Sequence, residues 1–140
     1  MLFPRLPPAL VFIAILLGLG SVAAAVSLGV QRIQTNHTTV QAAQALTGGH
    51  VASGRALFAE KGCGGCHSIT GQNFANGAVG PSLDKVAIRA FLAGKLANDP
   101  QQMTAWIQHP QALDPGSGMP EMGLTDGEAR DLAAYLYILR

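Results

Sequence analysis

Cysteine is scarce: the 140 residues hold only Cys63 and Cys66. That excludes a disulfide framework and leaves no second Cys pair for a four-ligand zinc site. His50 and His109 would complete such a site only by coincidence. A charge excess of one sign is missing too. From residue 51 onward seven Lys and Arg stand against eight Asp and Glu, a net of minus one. Without a basic stripe, nucleic-acid binding has no support. Without a strong one-signed patch, long-range electrostatic steering of a partner has none either. No stretch reads as a convincing strand, and no internal repeat is present. Charge is absent altogether from Ala9 to Val30, a run of 22 apolar or small residues.

The two cysteines stand in the pentapeptide Cys63-Gly64-Gly65-Cys66-His67. This C-x-x-C-H spacing is the signature of covalent haem attachment. Two thiols three positions apart can each add to one vinyl group of a haem and form thioether bonds. The next residue, His67, then lies under the iron as proximal ligand. The motif occurs once, so one covalently bound haem c is expected. The competing reading is a redox dithiol, which calls for a βαβ context that the chain does not show.

With His67 on one axial face, the other face needs a ligand, water or nothing. Met1 is the start residue, and Met103, beside Trp106 in an apparent helix, reads as core. Met119 lies in Pro115-Gly116-Ser117-Gly118-Met119-Pro120. A Gly- and Pro-rich segment bracketed by helices forms a loop with a fixed path, able to hold one sulfur close to a haem face. Met119 is therefore the expected distal ligand, ahead of Met122. His/Met ligation raises the reduction potential and suits electron transfer. Were Met119 only an apolar loop residue, the iron would be open or bound by His109. Gas binding or peroxidase chemistry would then follow.

Four segments carry a family resemblance: Cys63, Cys66 and His67; Gly80-Pro81-Ser82-Leu83; Trp106-Ile107-Gln108-His109-Pro110; and Gly118-Met119-Pro120. Through them residues 51 to 140 resemble a class I c-type cytochrome domain. They are most similar to the cytochrome c domains fused to subunit II of haem–copper oxidases. The resemblance implies that the Pro81 carbonyl accepts a hydrogen bond from His67, fixing the imidazole's tautomer and orientation. It implies that Trp106 hydrogen-bonds a haem propionate, with a plain core position as the alternative. The chain departs from the oxidase subunit in lacking its copper-binding domain, whose binuclear site needs two further cysteines.

The expected fold is all-α: an N-terminal transmembrane helix, then a small class I cytochrome c domain of short helices around one covalent haem. The division is an anchor over residues 1 to 30, a polar tether over 31 to 50 and a haem domain over 51 to 140. The apolar run is long enough for a hydrocarbon core of about 30 Å. It reads either as an uncleaved signal-anchor or as a signal peptide cut after Ala23-Ala24-Ala25. Its continuation past Ala25 through Val30 favours the anchor. Arg5 before the run, with Arg32 alone just after it, places the N-terminus in the cytoplasm. The tether spans about 25 Å if flexible and about 30 Å if helical, with a short helix expected over Val40 to Leu46. His37 and His50 are read as solvated. A first helix is expected from a Ser53 cap to Glu60, ended by Gly62, and a weaker one between Leu83 and Leu96. The next begins at Asp99-Pro100 and stops at Pro110. The last opens on the capping box Thr125-Asp126-Gly127-Glu128 and repeats Leu132, Tyr135, Leu136 and Leu139 on one face. The resemblance implies that the first and last helices cross, Gly54 and Phe58 against Leu132 and Tyr135, with Phe58 and Tyr135 in the core.

The expected function is electron transfer without substrate chemistry of its own. The expected setting is the bacterial inner membrane, single-pass, with the haem domain on the periplasmic side. Partners would be a membrane-bound redox complex, either an oxidase or a quinol-oxidising complex, and other redox proteins. The chain is either a cytochrome subunit of a terminal oxidase or a free anchored shuttle. The haem edge is expected to be ringed by uncharged residues, Gly64, Gly65, Ile69, Ala75, Ala78, Val79, Met119, Pro120 and Met122, with Glu121 the exception.

Overall fold

The computed structural model describes residues 7 to 140. Met1 and Arg5, the latter used above to orient the apolar run, lie outside the described residues. The described residues fall into two compact units, divided between Thr38 and Thr39.

A single helix, α1 (Pro8–Thr47), runs through the first unit and into the second. It is twice the length that a hydrocarbon core requires. Its most apolar stretch has a mean hydropathy of 2.6 and is exposed throughout, so by length and composition it is able to cross a membrane. The expected tether is largely helical. From Gln31 to Thr47 the chain is rich in Ala and Gln and holds no Gly or Pro; the first breaker is Gly48-Gly49.

Within the second unit the last turns of α1 are structural. Ala43 and Thr47 are buried. The Gln44 side chain accepts the Val51 N–H at 3.2 Å, and the Asp131 carboxylate accepts the His50 N–H at 2.7 Å. These two bonds cap α2 (Val51–Glu60) from outside the helix. The start is therefore His50, not Ser53 as the local pattern suggests. His50 and His37 are both exposed.

Helix α2 crosses α5 (Asp126–Leu136), and this contact holds the domain together. A side chain at Gly54 would run into the Asp131 carbonyl and the Cβ of Tyr135, so only glycine lets the two backbones meet. Beside it the Phe58 ring meets Tyr135 edge-on at 5.6 Å, and both rings are buried. Helix α5 opens on the expected capping box, with both reciprocal bonds formed. Helix α3 (Pro100–Gln108) starts as expected, Asp99 Oδ1 accepting the Gln102 N–H at 2.8 Å. Pro110 stops it and opens a further short helix, α4 (Pro110–Leu113).

The expected helix between Leu83 and Leu96 is not formed. The chain makes a 3-10 turn at Val86–Ile88 and a two-stranded hairpin, β1 (Phe91–Leu92) with β2 (Leu96–Ala97). Lys85, Ala93 and Gly94 all take left-handed backbone angles, which a helix does not tolerate. The carbonyls that a helix would satisfy internally are taken by side chains. Asn98 donates to Val86 and Arg89 at 2.8 and 2.7 Å, and Tyr137 in turn donates to Asn98.

Candidate functional site

The cysteine motif begins where α2 ends. Gly62, at φ 71°, reverses the chain and starts a 3-10 turn at Cys63–Gly65. The Cys63 carbonyl accepts the N–H groups of Cys66 and His67 at 3.2 and 2.9 Å, so the turn sets the relation of both cysteines to the histidine. Gly64 is buried, because the Phe74–Ala75 backbone lies where its side chain would be. Cys63 is half-buried and Cys66 exposed. Burial pushes the Cys63 thiol up. A redox dithiol requires the opposite shift in its attacking thiol, so the environment does not suit that chemistry. Among the described residues no three His, Cys, Asp or Glu side chains gather as a metal cluster would need.

His67 is held from two sides. Its Nδ1–H donates to the Pro81 carbonyl at 2.8 Å. A carbonyl oxygen only accepts, so this contact keeps the proton on Nδ1 and leaves the Nε2 lone pair free. Gly80 lies directly against the ring, its absent Cβ only 2.5 Å from Cε1. The turn carrying both residues is tied back to the motif. Gly80 N–H reaches the Cys66 carbonyl and Leu83 N–H the Ser68 carbonyl, both at 2.8 Å. Asp84 accepts from the Thr70 N–H and hydroxyl at 2.8 and 2.6 Å, and these bonds hold its carboxyl below the usual range. Arg89 closes the turn by donating to the Ser82 and Asp84 carbonyls. Sequence reasoning missed Thr70, Asp84 and Arg89. Their only signal is polar residues bracketing a Gly-Pro turn, which is common in any loop.

Two cavities, of about 100 and 400 Å³, share Cys63, His67, Ala93, Trp106 and Met119 in their walls and so form one cleft. The smaller part is walled by Phe58, Leu83, Val86, Met103, Leu132 and Leu136, the larger by Cys66, Pro81 and Met122 among others. The larger part alone falls within the about 300–1,000 Å³ of small-molecule sites. Met103 is buried, as expected for a core residue, and its side chain is also part of the cleft wall. Met119 lines both parts, Met122 only the larger. His109 lines neither; its Nδ1 is 3.2 Å from Glu121 Oε2. All six expected site residues, Cys63, Cys66, His67, Pro81, Trp106 and Met119, border this cleft. The donor set fits a covalently attached haem. Two thiols and an oriented imidazole stand at one apolar cleft, with a thioether and an indole in the same wall.

The expected ring of uncharged surface residues needs correction. Ile69, Ala75 and Gly64 are buried, because residues 68 to 77 fold back on the motif and form the bridge Ser68 to Asn76. Val79 is 86% exposed and remains a rim residue.

The cytochrome c family pattern matches residues 51–139, well over half of the chain. The chain is 39% identical over 90 residues to a cytochrome c oxidase subunit 2 of Alkalihalophilus pseudofirmus. The match covers 62% of this chain and 25% of that protein, so the chain spans about a quarter of its relative's length. No solved structure gives a significant match. With its helical fold and its thiol, imidazole and thioether cleft, the chain belongs to the cytochrome c family.

Proposed function

We propose that the chain is a membrane-anchored electron-transfer protein carrying one covalent haem c, whose iron His67 and Met119 would hold. Membership of the family implies haem c and haem-based electron transfer; the finer assignments are those of this proposal. When bound, the haem supplies one-electron exchange between ferric and ferrous iron. Cys63 and Cys66 serve as the attachment thiols. The Pro81 carbonyl orients the His67 ring and makes its Nε2 the better donor. The apolar wall excludes water and so limits reorganisation around a changing charge. Trp106 offers an indole N–H to a propionate. The observation that carries the reading is the single cleft joining Cys63, His67 and Met119, with His67 already oriented by Pro81 at 2.8 Å.

Ligation is tested by two substitutions. Met119→Ala is expected to leave the haem attached, lower its potential and let the ferrous iron take up carbon monoxide. Met122→Ala is expected to do little. The reverse pattern would move the ligand to Met122.

The proposed setting is a bacterial respiratory chain, as a cytochrome subunit associated with a terminal oxidase. The apolar part of α1 would anchor the chain in the inner membrane, with the haem domain on the periplasmic side. The anchor is assigned to residues 1 to 30, the linker to 31 to 50 and the haem domain to 51 to 140. The named relative and the apolar helix support this setting. A free anchored shuttle between a quinol-oxidising complex and an oxidase is the second reading. Mild-detergent extraction, a haem-stained native gel and mass spectrometry of the haem-bearing band decide between them. Oxidase subunits in that band support the first, and a lone small haem protein supports the second.

A further inference from the structure

Met119 lies on a loop without regular structure between α4 and α5, so its place in the cleft depends on a few bonds. Before it in sequence, a chain of contacts leads to the hairpin. The Met119 N–H donates to Ser117 Oγ at 3.1 Å. The Ser117 N–H donates to the Asp114 carbonyl at 2.9 Å, and the Gly116 N–H to Asp114 Oδ1 at 3.3 Å. The other carboxylate oxygen, Oδ2, holds the Lys95 ammonium at 2.9 Å. Lys95 ends the turn between β1 and β2, two residues after Ala93, which lines both parts of the cleft. Asp114 and Ser117 line the larger part beside Met119. After Met119, Glu121 meets His109 at the junction of α3 and α4.

We propose that Lys95 and Asp114 are a positioning pair that ties the Met119 loop to the β1–β2 turn and holds the thioether in the cleft. The inference rests on the reading of Met119 as axial ligand. A thioether is neutral and its side chain has three rotatable bonds, so its backbone must be fixed for the sulfur to stay at one place. The loop's glycines supply no such rigidity. Asp114 supplies it by serving two masters: Oδ1 and the carbonyl shape the loop, while Oδ2 anchors it to another element. Lys95 is about half exposed, so the pair adds little to global stability; its effect is local. The Lys95 bond also holds the Asp114 carboxyl below the usual range.

The test uses the full-length haem-loaded protein in detergent and reads two quantities: carbon monoxide uptake by the ferrous form, and the reduction potential. Ser117→Ala removes one hydrogen bond from the loop, which predicts an about fivefold faster uptake with a lowered potential; Asp114→Ala removes the Gly116 bond and the Lys95 ion pair together and should do at least as much. Ser117→Thr keeps the acceptor oxygen and should stay at the wild-type rate. The exchanged pair Lys95→Asp/Asp114→Lys regains the ion pair but not the Gly116 bond, and should return only part of the way toward it. Met119→Ala is the reference for an open iron. Unchanged uptake and potential in both Asp114→Ala and Ser117→Ala, with Met119→Ala open, would overturn the positioning role and leave the ligand reading intact. Unchanged uptake in Met119→Ala would overturn both. Should Asp114→Ala fail to fold, Lys95→Ala, expected to speed uptake, against Lys95→Arg, expected to keep the ion pair and the wild-type rate, decides alone.

Discussion

His67 is confined by one hydrogen bond and one missing side chain. The Pro81 carbonyl takes its Nδ1–H, and Gly80 leaves room for the ring. A Cβ at Gly80 would stand 2.5 Å from Cε1 and 2.7 Å from Nδ1. Gly80→Ala should therefore tilt the imidazole and cost about 1–3 kcal/mol, read by urea unfolding, with a shifted reduction potential. Pro81→Ala keeps the carbonyl and loses only turn stiffness, so its cost should be about 0.4–1 kcal/mol. Equal losses in the two variants would refute this account. The Cys63-to-His67 motif could be read from sequence because its spacing is local. The burial of Gly64 was not, because the backbone that covers it comes from Phe74 and Ala75.

Helices α2 and α5 meet through their backbones at Gly54. The Asp131 carbonyl is part of α5 and is not free to move aside. Gly54→Ala should cost about 1–3 kcal/mol by urea denaturation, although alanine favours an isolated helix. A neutral outcome would mean that α5 shifts freely. At the start of α5, Glu128 is held below the usual carboxylate range first by the Thr125 N–H and then by its hydroxyl. Its folded value lies below its unfolded one. Its contribution is therefore present above about pH 4 and fades as pH falls through the folded value. Thr125→Ala should destabilise the domain at neutral pH, and the gap from wild type should narrow in acid. A gap independent of pH would assign the whole effect to the hydroxyl's bond to the Glu128 N–H. The starts of α5 and α3 were legible, since their caps lie within four residues; the end of α5 was not, since Leu139, expected on its face, lies beyond the helix, which stops at Leu136. The start of α2 was not, since Gln44 and Asp131 supply its caps from elsewhere in the chain.

The domain's apolar interior and its cleft share walls: Phe58, Leu83, Val86, Leu92, Met103, Ile107, Leu132 and Leu136 belong to both. A small domain buries a limited core of its own, so a bound haem supplies a large part of the interior. Cys63→Ala/Cys66→Ala, which removes the proposed attachment thiols, should leave the domain largely unfolded. Circular dichroism reads this directly, and native helicity without haem would refute it. The membrane-crossing potential of α1 was legible as a run without charge. That the same helix continues to Thr47 follows from the absence of Gly and Pro from Val30 to Thr47.

The sequence by itself determined the attachment motif, the apolar helix, the helix caps of α3 and α5 and the family, because each is written in neighbouring residues. Tertiary structure decided the hairpin at Phe91–Ala97, the orientation of His67 and the pairing of Lys95 with Asp114. Those features depend on partners that are distant in sequence. Asn98 takes the carbonyls of Val86 and Arg89, Pro81 reaches back fourteen residues to His67, and Lys95 reaches forward to Asp114. No local pattern of residues states where such partners will lie once α2 and α5 have crossed.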